Sequence, residues 1–516
     1  MAIIPFVSKG KTNPSKKTRA EIRREERRVE KEARRKKNEA TRKRDESNRK
    51  ASLSRAQIRA LRKDKNLVRD LLSVINSYFP GLLANLNEAG DGRCLKFVKY
   101  KIEVILVVRI LSAIFSYDSQ QAMTKGLNND NAIKNMAAFL RQKDLSELPH
   151  GDTINDCFKK MVPEKLEAFL HDMIVQLLRR NTFNDSRIYM GEWQVLVDAT
   201  GFFRSSKRHC DHCLFSRHKN KKTGEVASIE YYHNVLEAKI VLNGVLVFSM
   251  MSEFIENEKP IPSEEELWSK EYADSSKEQV KQDCETKAFY RLSKKLKAAF
   301  PKLPICITTD ALYPCKEMFQ ACRELGWHFI MRFKEGVIPS LAKQYRAQVK
   351  KRPEQSFHEF SEDGNSLDYS FASNLIYEGF AINAVELKDS GVKYPFWFIT
   401  DYPVTKASCK TIMEYGRRRW SIENQGFKRQ KRHGYCLTHM FSRDYTAMKV
   451  HYFMIQIAHA ISQLWEHSIG MKGLRYSIKE LHEELRNSFR AVLLTAEDVE
   501  FANMPRRIRL VYDAAA

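Results

Sequence analysis

Residues 415–431, YGRRRWSIENQGFKRQK, set a single carboxylate, Glu423, among Arg417, Arg418, Arg419, Lys428, Arg429 and Lys431. Two chemistries fit that composition. Glu423 could be a counter-ion on a solvated helix face, or the cations could grip phosphate oxygens while the carboxylate holds a metal. Two further apolar runs, EWQVLVDATGF and LPICITTDALY, each carry an aspartate at their end, Asp198 and Asp310. A lone aspartate after a strand is commonly a turn former, and Asp401 in FITDYP reads as a helix cap. Two aspartates at one sheet edge are another matter, because like charges within ~4–6 Å raise a pKa unless a cation intervenes. Hard oxygen ligands suit Mg²⁺, which takes few protein ligands beside substrate phosphates. A third carboxylate would complete a two-metal site for phosphoryl displacement.

Whether the three meet depends on the elements that carry them. Residues 67–185 repeat apolar positions at three and four, as in YKIEVILVVRILSAIFSY, and read as helical throughout. After Arg187 strands begin. ASIEYYHNVLEAKIVLNGVLVFSMMSEFI gives two strands joined at Asn243-Gly244, a two-residue hairpin signal. CETKAFYRLSKKLKAAF is an amphipathic helix, the strand before Asp310 follows, and then come the helix PCKEMFQACRELG and the strand WHFIMRF. Residues 335–395 interrupt this order with polar–apolar alternation and Asp-Gly and Ser-Gly turns, an antiparallel insertion. The strand FWFITDY and a long helix from about Lys406 through Glu423 complete it. Three hairpin-paired strands, a helix and a fourth strand beside the first are the order of a ribonuclease H-like α/β fold. That fold would bring Asp198 and Asp310 out side by side.

The loop HCDHCLFSRH adds a C-x-x-C. Cys210 and Cys213 have Zn²⁺ ligand spacing, and His209, His212, His218, His233 or Cys284 could complete the set. Without a second pair at fixed spacing, two reduced cysteines in a loop is the equally open reading.

Composition narrows the partners. The 516 residues carry 88 Lys+Arg against 64 Asp+Glu, a net charge of +24. Residues 1–65 hold roughly 24 of those cations against roughly 9 acids. This arm reads as a polyanion-binding segment, with a solvated helix of i,i+4 Glu–Arg pairs as the bland alternative. No apolar run is long enough for a membrane helix, so no membrane partner is expected. The scattered cysteines fit a reduced cytoplasmic chain.

At LVDATG, ITTDALYP and YGRRRWSIENQGFKRQK the chain resembles the DDE transposases of bacterial and archaeal insertion sequences. The similarity is to the insertion-sequence-four group, which has a Y-R-E-K signature, and it spans roughly residues 145–470. The resemblance implies Asp198, Asp310 and Glu423 as the catalytic, metal-binding triad with Mg²⁺ or Mn²⁺. Arg419 matches the signature arginine. Tyr415 stands one residue too far before Arg419, and Lys431 one residue too far after Glu423. On a regular helix Lys431 would lie about 80° off the face of Glu423, where a seven-residue step lands within ~20°. A π-bulge could realign them, or Lys428 could substitute. Arg418, Arg419, Lys428, Lys431 and Tyr415 are the expected DNA-phosphate contacts.

The expected organisation is a basic arm (1–66), a helical DNA-binding region (67–185), a ribonuclease H-like catalytic domain (186–470) with its β insertion (335–395), and a C-terminal helical tail (471–516). The resemblance implies a transposase acting on double-stranded DNA, both element ends and target, as a nucleoid-associated cytoplasmic homodimer. The rivals are a related metal nuclease or recombinase without strand transfer, and a non-catalytic DNA-binding derivative. The helical region could equally be a plain structural bundle.

Overall fold

β1 (Trp193–Ser205) owes its central place to WQVLV, five consecutive buried residues that need cover on both faces. It lies in a ten-stranded mixed sheet with β2 (Leu214–Lys219), β3 (Val226–Leu242), β4 (Leu246–Ile255), β5 (Ile305–Thr309), β6 (His328–Arg332), β7 (Ser356–Phe360), β8 (Ser366–Tyr377), β9 (Phe380–Asp389) and β10 (Phe396–Thr400). The order is β2-β3-β1-β5-β6-β10-β9-β8-β7, with β4 also on β3. In this computed structural model the described residues are 53–257, 260–269, 272 and 282–512. The basic arm, up to residue 52, lies outside them.

β3 pairs antiparallel with β1 and β4, and β5 runs parallel to both β1 and β6. The run β4-β3-β1-β5-β6, with flanking helices, is a mixed α/β arrangement consistent with a ribonuclease H-like fold. Asn243 and Gly244 turn the β3–β4 hairpin with φ of 50° and 69°, the left-handed pair that a tight two-residue turn demands. The sequence reading omitted β2, whose LFSRHK is too polar to show a strand pattern. The insertion opens with a helix, Pro339–Lys351, before β7 to β9, and β9 pairs with β10 to extend the main sheet.

Strand periodicity sorts the core. On β5, β6 and β10, Ile305, Ile307, Phe329, Met331, Trp397 and Ile399 enter the main apolar cluster. The alternate residues Cys306, Ile330 and Phe398 meet Cys409, Ile412 and Met413 of the helix Lys406–Arg417 instead. On β1, Leu196 packs with Ile422 and Phe427, which lie just beyond that helix.

Helices form the rest. Ile102–Ile114 is apolar nearly all round and almost wholly buried, against Tyr445–Glu466. The C-terminal helices Ile478–Ala491 and Ala496–Asn503 fold back on Leu67–Tyr78. There Asn76 Nδ2 donates to the Ala502 carbonyl at 3.1 Å and the Tyr78 hydroxyl to that of Ile508 at 2.7 Å. Residues 67–185 and the tail thus share contacts that the expected division keeps apart. No helix of the described residues is long and apolar enough to cross a membrane.

Candidate active site

The paired register of β1 and β5 ends at Leu196 opposite Thr308. Asp198 stands two residues past it on β1, and Asp310 two residues past it just beyond β5, so both lie at the same end of the parallel pair. Asp198 shares the sheet face of Leu196, the face covered by Ile422 and Phe427. It does not end its strand, as the sequence suggested: β1 continues to Ser205, held by β3 alone. Asp310 does follow directly on β5.

Burial, the largest influence, lifts the Asp198 carboxyl from 3.8 to about 6, and Asp310 and Glu285 add to the rise. Arg419 opposes it, with Nη1 3.4 Å from Asp198 Oδ2, as does the Ala199 amide, which donates to Oδ1 at 3.0 Å. Asp310 Oδ1 accepts from the Leu312 amide at 2.8 Å. Glu237, the cross-strand partner of Asp198, is saturated: Lys239, Ser249, Ser252 and Tyr452 all reach its buried carboxylate.

Glu423 sits in a π-helical turn, Ile422–Phe427, and is half-buried. Among the described residues its carboxylate has no hydrogen-bond or ion-pair partner. Most of the surrounding cations are engaged elsewhere. Arg417 lies over the Phe396 ring, Arg418 pairs with Glu414 at 2.6 Å, and Arg419 turns to Asp198. Arg429 is buried against Glu466 and is not a phosphate contact, contrary to its reading from charge alone. The π turn lies between Arg419 and Lys431. Burial lowers the Lys431 ammonium, and Glu423 and Asp198 are the charges that pull it back up. Lys431 is thus coupled electrostatically to both carboxylates. The Tyr415 ring packs on the apolar cluster beneath, under Arg418. Lys428 is exposed and makes no ion pair among the described residues.

Residues 283–461 match the family model described as a transposase DDE domain. Over that stretch the chain is similar to transposase DDE domains. The match takes in Asp310, Glu423 and Lys431 and begins after Asp198. No curated protein matches the chain.

The matched stretch also holds Glu285, an acid that sequence reasoning missed. Glu285, first residue of the helix Glu285–Ala299, is raised chiefly by burial, with Asp310 adding to the rise. Its Oε2 accepts from the Tyr313 hydroxyl at 3.1 Å, which opposes the shift. In sequence it looked like an ordinary first-turn glutamate favoured by the helix dipole. Its one signal was position, at the start of the crossover that delivers Asp310. Asp401 is no helix cap: it accepts from the Phe329 amide at 2.9 Å and pairs with His328 at 2.8 Å, while Thr405 caps the following helix.

The donors fit a hard divalent ion in kind. All are carboxylate oxygens, one is unpaired, and Asp198 is strained by burial and a like neighbour in a way a cation would relieve. The distances do not close around a single ion. Among the described residues, the one group whose ligand atoms all lie within 4.8 Å of one another is Cys210, Cys213 and His233.

Proposed function

We propose that this protein is a DNA transposase that cleaves the ends of its mobile element and joins them to target DNA. What supports the reading is that Asp198 and Asp310 lie at one end of the parallel β1–β5 pair, on the side of a helix whose Glu423 carboxylate has no hydrogen-bond or ion-pair partner among the described residues. Asp198, Asp310 and Glu423 would hold Mg²⁺ or Mn²⁺. When bound, two such ions supply activation of the attacking oxygen and stabilisation of the leaving one. Arg419, beside Asp198, and Lys431, coupled electrostatically to Glu423 and Asp198, would neutralise phosphate charge as it develops. Glu285 would add negative charge behind Asp310.

Arg418 and Arg417 line a groove of about 600 Å³ with Lys410, Phe396 and Trp420. With the exposed Lys428 they would hold DNA backbone away from the carboxylates. The arm and the helices of residues 67–185 would bind element ends, their cations displacing counterions. Two copies would hold two ends, as the insertion-sequence-four resemblance implies.

The test uses the DNA that flanks the gene. Inverted repeats bracketed by short direct duplications are expected there. Purified protein should nick those repeats with Mg²⁺ and not with EDTA, and Asp310→Ala should abolish the cut. Cleavage without joining of pre-cut ends would mean a nuclease. Excision unchanged by Asp310→Ala would refute the reading.

A further inference from the structure

The β1–β2 connection and β3 bring three soft ligands to one point. Cys210 Sγ and Cys213 Sγ are 3.8 Å apart, and each lies 3.2 Å from His233 Nε2. A tetrahedral zinc ion, ~2.3 Å from sulfur and ~2.0–2.1 Å from nitrogen, sets S···S near 3.8 Å and S···N near 3.5 Å. The triangle is close to that before any metal enters. Hydrogen bonding alone does not account for it, since one ring nitrogen cannot exchange a well-directed proton with two sulfurs at once.

The surroundings hold these atoms in place. A register shift of β1 on β3 between Gly201 and Phe203 sets His233 opposite Phe203. Its ring stacks on Tyr445, with centroids 4.5 Å apart, and on Phe202 at 5.6 Å. His233 is 1% exposed, and its Nδ1 has no hydrogen-bond partner among the described residues. Nε2 is therefore the polar end of the ring, and it points at both sulfurs. The Cys213 amide donates to the Cys210 carbonyl at 3.1 Å, and the Cys210 amide to Cys213 Sγ at 3.4 Å. The second bond favours a thiolate.

We propose that Cys210, Cys213 and His233 bind one Zn²⁺ ion, with a water as the fourth ligand. A cavity of about 260 Å³ adjoins the triangle, lined by Cys210 and His233 with Lys207, Arg208, His209 and Arg443 at its walls, and has room for that water. His209 is engaged with the Tyr231 ring, 4.4 Å away, and His218 lies toward Glu230 on β3. Neither is needed to complete the tetrahedron. The ion clips the loop bearing Lys207 and Arg208 to β3, at the far end of the strand that carries Asp198. Two thiolates distinguish this soft site from the all-oxygen carboxylate site, and the inference does not rest on the transposase reading.

The full chain, purified without chelator, should contain about one zinc per molecule, and Co²⁺ exchange should give the charge-transfer band of thiolate ligation. Cys210→Ser, Cys213→Ser and His233→Ala should each lower the zinc content at least about tenfold, while Cys284→Ser and His209→Ala keep it. Thiol titration of the wild type covers any variant that fails to fold. Two thiols should react only after chelation, and peptide mapping should place them at 210 and 213. Zinc below about a tenth per molecule after growth in zinc-supplemented medium, or equal thiol reactivity with and without chelator, would overturn the site. Loss of zinc in a folded His209→Ala variant would overturn the open fourth position.

Discussion

Asp198→Asn should stabilise the metal-free protein, and only above a definite pH. The folded carboxyl is raised from 3.8 to about 6, mainly by burial. A raised carboxyl favours the fold fully below 3.8 and loses that contribution as pH climbs through about 6. Converting that gap at about 1.4 kcal/mol per tenfold gives a cost of about 3 kcal/mol for ionised Asp198 at pH 8. Asparagine carries no charge there but also gives up the Arg419 contact, so the expected gain is roughly 1–3 kcal/mol. At ~2–4 °C per kcal/mol for a domain of 150–250 residues, thermal unfolding resolves it. Wild type and variant would be melted in EDTA between pH 5 and 8, then again with Mg²⁺. The variant's advantage should grow with pH and flatten above about 7. Mg²⁺ should raise the wild type and leave the variant unchanged. A pH-independent difference, or a variant less stable than wild type at pH 8, would refute the reasoning.

Three other perturbations separate roles within the same helices. Deleting Asn424, exposed in the π turn, converts an eight-residue step to seven and should keep DNA cleavage within about tenfold. Inserting one alanine there instead turns Lys431 by about 100° and should abolish cleavage. Arg429→Ala strands the buried Glu466 carboxylate, which burial pushes up but Arg429 and His482 hold well below its ordinary 4.5. Denaturation at neutral pH should show a loss of about 3–5 kcal/mol, shrinking as pH falls below that ordinary value, whereas Lys428→Ala should be near neutral. Glu285→Gln should cost about 10–100-fold in Mg²⁺-dependent cleavage while the fold, followed by circular dichroism, persists.

The adjacency of the strands before Asp198 and Asp310 was legible because strand, hairpin, helix and strand leave few ways to pair. The extent of β1 was not. Past Asp198 the strand is held by β3 alone, and no residue of ATGFFRS marks where β5 lets go. Helical phase is simple arithmetic, so the spacing from Glu423 to Lys431 left open a π turn or a substitute in Lys428, and a π turn is present. Charge was a poorer guide. Arg429 looked like Arg419 in sequence, yet it is buried on Glu466, 37 residues further along the chain. Glu285 escaped notice because its neighbours in space, Asp310 and Tyr313, are remote in the chain. His233 stood among several histidines near the C-x-x-C, and only the pairing of β1 with β3 singles it out.

The most direct test of the central claim is anomalous diffraction from crystals of the protein with its element ends, grown in Mn²⁺. The account predicts anomalous peaks coordinated by oxygens of Asp198, Asp310 and Glu423 and by a DNA phosphate. DNA bound with Mn²⁺ absent from those three side chains, or ligated by other residues, would contradict it.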